Sequence, residues 1–240
     1  MRPDCAIIAV ATTRGERMGD VRAGTPEMEG FVLGKPALVC RWRLHDRRLP
    51  LENRHLRALS RRLVGGQALS PEMVGWAKQH IEWTLDEGAA QHPDGVLMLI
   101  VDEERRAAMA VGEFEPLAHT SATNLAERAA LSLAEARSTR VAPETLWLER
   151  DGELVVGIEQ GTRPGGATDL ILQLAETLGM PVARESDVAQ GVLSGSSRYD
   201  ECFLVSDEYG VVESRDAGGP RSRRFADSYQ KLLDSTKRKC

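Results

Sequence analysis

The stretch that decides the fold of this chain is Glu144–Gly157, with the sequence ETLWLERDGELVVG. Two apolar runs flank the dipeptide Asp151-Gly152, which favours the tight turn of a β-hairpin because both residues tolerate positive φ angles. Downstream, Thr168–Leu178 has the apolar spacing of a helix, and Gly179 followed by Pro181 is the usual punctuation at a helix C-terminus. A hairpin followed by a helix predicts an α/β architecture for this region.

The rest of the chain divides into two groups of helices and strands. Further strands are predicted at Cys5–Ala11, within Phe31–Leu44, and at Gly95–Asp102, Ala107–Phe114, Met180–Arg184, Tyr199–Val205 and Gly210–Glu213. Helices are predicted at Asn53–Leu63, after Ser70-Pro71, and at Asn124–Arg137 and Ser222–Leu233. These elements predict an α/β (α+β) protein with mixed sheets, in two subdomains with a cleft between them. The predicted boundaries are an N-terminal strand and mobile loop over 1–30, a smaller subdomain over 31–118 and a larger one over 119–240.

Composition limits the classes of function. Of the 240 residues, 42% are hydrophobic and 28% are charged, and the net charge is −5. This balance is typical of a globular protein and argues against general nucleic-acid binding. The apolar runs are too short to cross a membrane. The four cysteines, Cys5, Cys40, Cys202 and Cys240, have neither zinc-site nor disulfide spacing. We therefore expect a cytoplasmic protein without a metal site, and expect Cys40 and Cys202 to be buried apolar residues.

Four blocks of the second half, taken together, resemble the class IV aminotransferases. Besides ETLWLERDGELVVG, the blocks are RPGGATDLILQLAETLGMPV at 163–182, YDECFLVSDEYGVVE at 199–213 and SRRFADSYQKLL at 222–233. They occur in the order found in that fold type IV family, which contains branched-chain and D-amino-acid aminotransferases and aminodeoxychorismate lyases. The resemblance implies a pyridoxal phosphate (PLP) cofactor held as an imine on a lysine, and a homodimer.

At the cofactor contacts, however, this chain departs from the family pattern. Ser121 stands at the place of the imine-forming lysine, and no lysine lies between Lys78 and Lys231. The family's glutamate at the pyridine nitrogen and three of its phosphate contacts fall at Val156, Ala58, Ala167 and Asp207. A hydroxyl cannot form an imine, and an aspartate repels a phosphate dianion. The resemblance therefore implies a degenerate, PLP-independent site with no cofactor.

If the cleft still functions, its chemistry must come from the residues that line it now. Ser121 and His119 could act as nucleophile and base, although Ser121 is also a suitable helix N-cap. Asp207 could form an acid/base pair with Glu208, or both could belong to an acidic turn before Gly210.

Substrate binding is predicted for five residues: Arg41, His55, Arg57, Gly165 and Gly166. The glycine-rich loop Gly161–Gly166 precedes a helix and could hold an anion on its backbone N–H groups. Arg41 and Arg57 could collect an anionic substrate, or could belong to a solvated face of the Arg-rich stretch 41–62. His55 could instead serve only the start of its helix.

Three functions compete. The first is a PLP-independent relative that reuses the former cofactor cleft to act on or bind a small amino-acid-like or carboxylated metabolite. The second is a non-catalytic pseudoenzyme that binds a metabolite or a protein partner. The third is a genuine PLP-dependent aminotransferase or lyase whose lysine the register has missed.

Overall fold

The computed structural model describes residues 6–11 and 32–235. Its first sheet has four antiparallel strands in the order β1-β6-β5-β2. These are β1 (Ala6–Ala11), β2 (Pro36–Arg43), β5 (Val96–Asp102) and β6 (Ala107–Gly112). A small separate hairpin is formed by β3 (Leu63–Val64) and β4 (Gln67–Ala68).

The second sheet has five strands in the order β11-β10-β7-β8-β9, all antiparallel except the parallel pair β8–β9. These strands are β7 (Thr145–Arg150), β8 (Glu153–Gly157), β9 (Val182–Glu185), β10 (Glu201–Ser206) and β11 (Gly210–Glu213). The β7–β8 turn has φ values of 51° at Asp151 and 91° at Gly152, so the predicted hairpin forms with the turn chemistry that predicted it.

Six helices lie in the described ranges. They are α1 (Glu52–Leu59), α2 (Pro71–Gly88), α3 (Ala122–Thr139), α4 (Gly166–Thr177), α5 (Val188–Leu193) and α6 (Pro220–Ser235). Helix α2 begins as predicted, because the Ser70 hydroxyl accepts the Met73 N–H at 3.2 Å and Pro71 opens the first turn.

The second sheet is covered on both faces, and alternate side chains of its central strands point to opposite helices. Trp147 and Phe203 pack towards α4 and α6, while their neighbours Leu148 and Cys202 pack towards α3 and α5. This alternation follows the two-residue repeat of a strand. The first sheet has a core of its own that includes α1 and α2. The protein is therefore a mixed α/β fold built on two larger sheets, as predicted.

Some local predictions differ from the structure. The helix predicted over 53–63 ends at Leu59, because the chain turns into the β3–β4 hairpin through Gly65 and Gly66, both with positive φ. The short helix α5 was not predicted. The predicted mobile loop up to residue 29, the start of the strand predicted from Phe31, and Cys5 and Cys240 lie outside the described residues.

Candidate functional site

Asp207 lies directly after β10, and its side chain turns towards the N-terminus of α4. Its Oδ1 accepts the Ala167 N–H at 2.8 Å. Ala167 is in the first turn of α4, where backbone N–H groups have no partner within the helix. The Asp207 carboxylate therefore caps α4 from another part of the chain.

Two consecutive glycines allow this close approach. A Cβ atom on Gly165 would lie 2.9 Å from both Asp207 carboxylate oxygens, and one on Gly166 would lie 3.2 Å from Cε1 of His55. Gly165 has an ordinary φ of −69°, so the requirement here is for space rather than for an unusual backbone conformation.

His55 completes this arrangement from α1. It is 3% exposed, its ring stacks on Trp42 at 5.1 Å, and its Nδ1 lies 3.5 Å from Asp207 Oδ2. Nδ1 has no hydrogen-bond partner among the described residues. Burial alone would raise the pKa of Asp207, but His55, the Ala167 N–H and Arg62 outweigh it and lower that pKa below its usual 3.8. The carboxylate is therefore charged at neutral pH.

Other contacts of the same region join the two sheets. The Arg43 N–H donates to the Asp207 carbonyl at 3.0 Å. Arg41 forms two hydrogen bonds of 2.6 Å with the Glu208 carboxylate. Arg54 pairs with Asp169 of α4. The turn after β10 is thus held against β2, and α1 is held against α4.

The structure brings four of the sequence-predicted residues together: His55, Gly165, Gly166 and Asp207. Arg41 lies beside them, because it pairs with Glu208, the residue that follows Asp207. Arg57 is exposed and donates to the Asn53 carbonyl at 3.0 Å. It does not reach this site.

Ser121 has the geometry of a helix cap. Its hydroxyl accepts the Asn124 N–H at 3.2 Å and donates to Asn124 Oδ1 at 2.6 Å. The next residue, Ala122, donates its N–H to Asp216 at 2.8 Å. His119 is exposed, and no hydrogen bond joins it to Ser121 within residues 32–235. The predicted nucleophile and base are not paired here.

The remaining family positions are apolar. Val156 is fully buried in the core that includes α4 and α6, and Ala58 is half-buried on α1. Ala167 contributes its N–H to Asp207, as described above, but has no hydroxyl to offer an anion.

A cavity of about 280 Å³, here called the cleft cavity, lies beside Asp207 between β2 and α3. It is lined by Val39, Cys40, Arg41, Trp42, Arg62, Arg128, Leu131, Ser132, Glu135, Val141, Ala142, Glu144, Ser206, Asp207 and Glu208. The Cys40 thiol in its wall is fully protonated at neutral pH, because burial raises its pKa to about 11.

Arg62 is a buried charged residue of the cavity that the sequence did not single out. It is 6% exposed, one terminal nitrogen donates to the Arg140 carbonyl, and its Nε has no hydrogen-bond partner in the described part of the chain. Its backbone is fixed between Leu59 and Leu69 by hydrogen bonds of 3.0 and 3.1 Å. A buried guanidinium with a free donor is costly to leave unsatisfied and is suited to an anionic ligand.

Most carboxylates of the cavity already have partners. Glu208 pairs with Arg41, and Glu144 pairs with Arg128 and accepts the Ser206 hydroxyl at 3.0 Å. Glu135 is exposed at the cavity, and its side chain has no ion pair or hydrogen bond within 32–235. Arg62 and Glu135 are thus the charged side chains of the cavity that form no salt bridge within 32–235, although Arg62 also acts electrostatically on Asp207.

Comparison with known proteins assigns the fold. No family model and no curated protein match the chain. A hypothetical aminotransferase from Mycobacterium tuberculosis, in its PLP-bound form, matches with a TM-score of 0.59 and 16% identity over 97% of this chain and 100% of that one. A protein assigned as a branched-chain amino acid aminotransferase from Thermotoga maritima matches at 0.55 and 14% identity, over 82% and 86%. The 4-amino-4-deoxychorismate lyase from Pseudomonas aeruginosa matches at 0.50 and 18% identity, over 82% and 91%. The chain therefore has the fold type IV aminotransferase-like fold.

The residues of this chain do not fit the phosphate of PLP. The first-turn N–H groups of α4 are the donors that this loop would offer to a phosphate, and the Asp207 carboxylate stands against them. A phosphate bound at these N–H groups would lie against the Asp207 carboxylate, and two anions in contact repel each other strongly in a poorly solvated site. The described lysines, Lys35, Lys78 and Lys231, are all exposed, and none lines the cleft cavity.

No helix in the described ranges is long and apolar enough to cross a membrane. No group of three or more histidine, cysteine, aspartate or glutamate side chains there is placed to hold a metal ion.

Proposed function

We propose that this protein is a PLP-independent relative of the class IV aminotransferases that binds a small amino-acid-like molecule in the cleft cavity. The proposal rests on one observation: in the wall of that cavity, the guanidinium of Arg62 is buried and its Nε has no hydrogen-bond partner among the described residues. An arginine remains charged at every physiological pH, so only an anionic partner can satisfy it well.

The charge pattern argues for a ligand with both a carboxylate and an ammonium group. Arg41 and Arg128 are each paired with a glutamate, while Arg62 and Glu135 are not. A zwitterion places its carboxylate on Arg62 and its ammonium group near Glu135, which leaves no unpaired charge in the cavity. The volume of about 280 Å³ lies below the roughly 300–1,000 Å³ of drug-sized sites, so the ligand is small.

Independence from PLP rests on a separate argument. The Asp207 carboxylate uses the Ala167 N–H, which a phosphate at the start of α4 would need, and no lysine in the described ranges lines the cavity to form an imine. Substrate recognition in this proposal therefore depends on side-chain charge alone.

Thermal shift with matched ligand trios tests the binding proposal. Each trio contains an amino acid, the α-keto acid with the same side chain, and the amine that lacks the carboxylate. We expect some amino acids to raise the Tm of the wild type, and the matching amines to have no effect. A ligand at a hundredfold excess over its Kd stabilises a protein by about 2.7 kcal/mol, which is readily measured.

Arg62→Gln and Arg61→Gln form a matched pair for this experiment. Arg61 is adjacent, exposed and outside the cavity. We expect Arg62→Gln to lose the ligand-dependent rise in Tm while Arg61→Gln keeps it, each measured against its own unliganded protein. We expect Glu135→Gln to lose the preference for amino acids over keto acids. Equal stabilisation of Arg62→Gln and the wild type would contradict the proposal.

Reconstitution tests the independence from PLP. Purified protein is incubated with PLP, reduced with borohydride and analysed by intact mass. We expect no stoichiometric phosphopyridoxyl adduct at any single lysine. A protein that turns yellow and retains one adduct per chain would instead support a PLP-dependent enzyme.

The homodimer implied by the family resemblance is also part of the proposal. Light scattering coupled to gel filtration measures it directly, and a monomer at micromolar concentration would contradict it.

A further inference from the structure

His45 lies between two carboxylates that belong to different parts of the chain. Its Nδ1 is 2.9 Å from Asp94 Oδ1, in the loop before β5, and its Nε2 is 3.4 Å from Asp234 Oδ1, near the end of α6. We propose that His45 is a pH-dependent tether: protonation of its ring strengthens the contact between α6 and the turn that follows β2.

A tight turn fixes the backbone around His45. His45 and Arg48 donate their N–H groups to each other's carbonyl oxygens, at 2.9 and 3.0 Å. Between them, Asp46 and Arg47 have positive φ angles of 48° and 62°. The His45 side chain is 12% exposed. The ring is therefore held between the two carboxylates with little contact with water.

The number of protons on the ring decides how many of these carboxylates it can bind. A neutral imidazole has one N–H, and the shorter contact places it on Nδ1, facing Asp94. Nε2 then presents a lone pair towards Asp234, and it is buried without a hydrogen-bond partner in the described chain. The imidazolium has a second N–H, so it can donate to both carboxylates.

The position of Asp234 on its helix is a separate argument for a cation at this place. Helix α6 ends at Ser235, so Asp234 lies in the last turn, where the helix dipole disfavours a carboxylate. The described last turn contains no basic residue. Gln230 donates to Asp234 Oδ1 at 3.3 Å, but its amide carries no charge. A protonated His45 supplies a positive charge from another part of the chain.

The remaining charged groups of these elements do not titrate in the same pH range. They are Asp46, Arg47 and Arg48 on the turn, Arg43 on β2, which interacts electrostatically with Asp94, and Lys231 on α6. Aspartate, arginine and lysine ordinarily keep their charge between pH 5 and 8, whereas histidine changes its charge there. His92 lies in the same loop as Asp94, and it is retained in every protein compared below.

The effect on stability has a definite direction. The folded chain offers the protonated ring two carboxylates, so the tether stabilises the fold at the acid end of this range. Its contribution is lost as the pH rises and the ring loses its proton. Asp94 and Asp234 are 55% and 49% exposed, so water and salt weaken the interaction and the effect is modest.

Thermal unfolding between pH 5 and 8 at constant ionic strength tests the tether in the wild type and three variants. We expect the Tm of the wild type to exceed that of His45→Gln by about 1–3 °C more at pH 5 than at pH 8. Asp234→Asn should lose part of this acid stabilisation, because an amide has no charge for the ring to pair with. His119→Gln removes an exposed histidine and should follow the wild type at every pH.

Nitrogen NMR of the histidine side chains gives a second readout that does not depend on unfolding. The 15N chemical shifts distinguish the imidazolium from the two neutral tautomers, and His45→Gln assigns the His45 signals. We expect His45 to keep both ring protons up to a higher pH in the wild type than in Asp234→Asn.

Two results would overturn the proposal. One is proton loss from His45 at the same pH in the wild type and Asp234→Asn. The other is a Tm difference between the wild type and His45→Gln that is equal at pH 5 and pH 8. No ligand is added in either measurement, so the outcome is independent of the function proposed for the cleft cavity.

Discussion

Arg41 and Glu208 face each other across the two sheets as a bidentate ion pair, with Nε–Oε2 and Nη2–Oε1 distances both of 2.6 Å. The Glu208 side chain is 5% exposed, whereas that of Arg41 is 45% exposed. The hydrogen bond to Glu208 raises the pKa of Arg41, so the guanidinium stays charged. The pair fixes the turn after β10 against β2, next to Asp207.

We expect Arg41→Met to be more destabilising than a typical surface substitution. It leaves the Glu208 carboxylate buried without its partner, and we expect the free energy of unfolding to fall by about 1–3 kcal/mol, less than for a fully buried pair because Arg41 is half exposed. Urea unfolding of Arg41→Met, Glu208→Gln and the double variant gives the coupling energy. If the two effects simply add, the ion pair makes no net contribution.

Ser121→Ala tests whether this residue is structural. The hydroxyl satisfies the Asn124 N–H in the first turn of α3, and its loss should lower the free energy of unfolding by about 1 kcal/mol. Ser121→Asp keeps an N-cap acceptor and should retain most of the stability. Equal stability of Ser121→Ala and wild type would remove the capping role and favour the catalytic prediction for this hydroxyl.

Gly165→Ala should destabilise the protein through Asp207. The new Cβ would lie 2.9 Å from both carboxylate oxygens, so either the cap or the start of α4 must move. We expect a loss of about 1–3 kcal/mol, as is usual for overpacking. Gly75→Ala is the matched control, because it lies inside α2 with no atom within 4 Å of the added Cβ. Thermal unfolding should show Gly75→Ala to be more stable than wild type by about 0.5–1 kcal/mol.

Acid should weaken the fold partly through Asp207. Its folded pKa lies below its ordinary value of 3.8, so the unfolded chain binds a proton first as the pH falls. The stability from this group is complete above pH 3.8 and is lost as the pH falls through the lower, folded pKa. Urea unfolding between about pH 5 and pH 2 should therefore have a shallower pH dependence in Asp207→Asn.

Asp102 contributes to the acid sensitivity that remains in that variant. Burial would raise its pKa, but the Gly34 and Arg106 N–H groups and the Arg106 side chain lower it. The stability that the Asp102 carboxylate provides is lost as the pH falls, as for Asp207. Asp207→Asn therefore removes only part of the pH dependence. An unchanged pH slope in that variant would mean that the Asp207 carboxylate contributes nothing to the fold.

Local signals predicted much of the second half of the fold. Asp151-Gly152 specified the β7–β8 hairpin, and Gly179 with Pro181 marked the end of the α4 region, because such turns and helix ends depend on only a few neighbouring residues. Binding of an anionic substrate by the glycine-rich loop before α4 stays a prediction; in the structure the Asp207 carboxylate lies at the start of that helix.

The cavity was harder to predict. In the sequence, Arg62 is one arginine among many in an Arg-rich stretch, and a solvated face was the simplest interpretation for such a stretch. Its burial depends on α3, which packs against the adjacent β3–β4 hairpin from a distant part of the chain. Similarly, nothing near His55 in the sequence indicates that its ring meets Gly166. Contacts of this kind are set by tertiary packing, which single-chain patterns do not record.

The cap that Asp207 supplies to α4 differs from a dissociable ion in one respect. A tethered group has an effective local concentration that dilution, dialysis or competition cannot change. The start of α4 therefore keeps its negative partner whatever salts and metabolites surround the protein. That corner of the fold is completed by a residue of the chain itself.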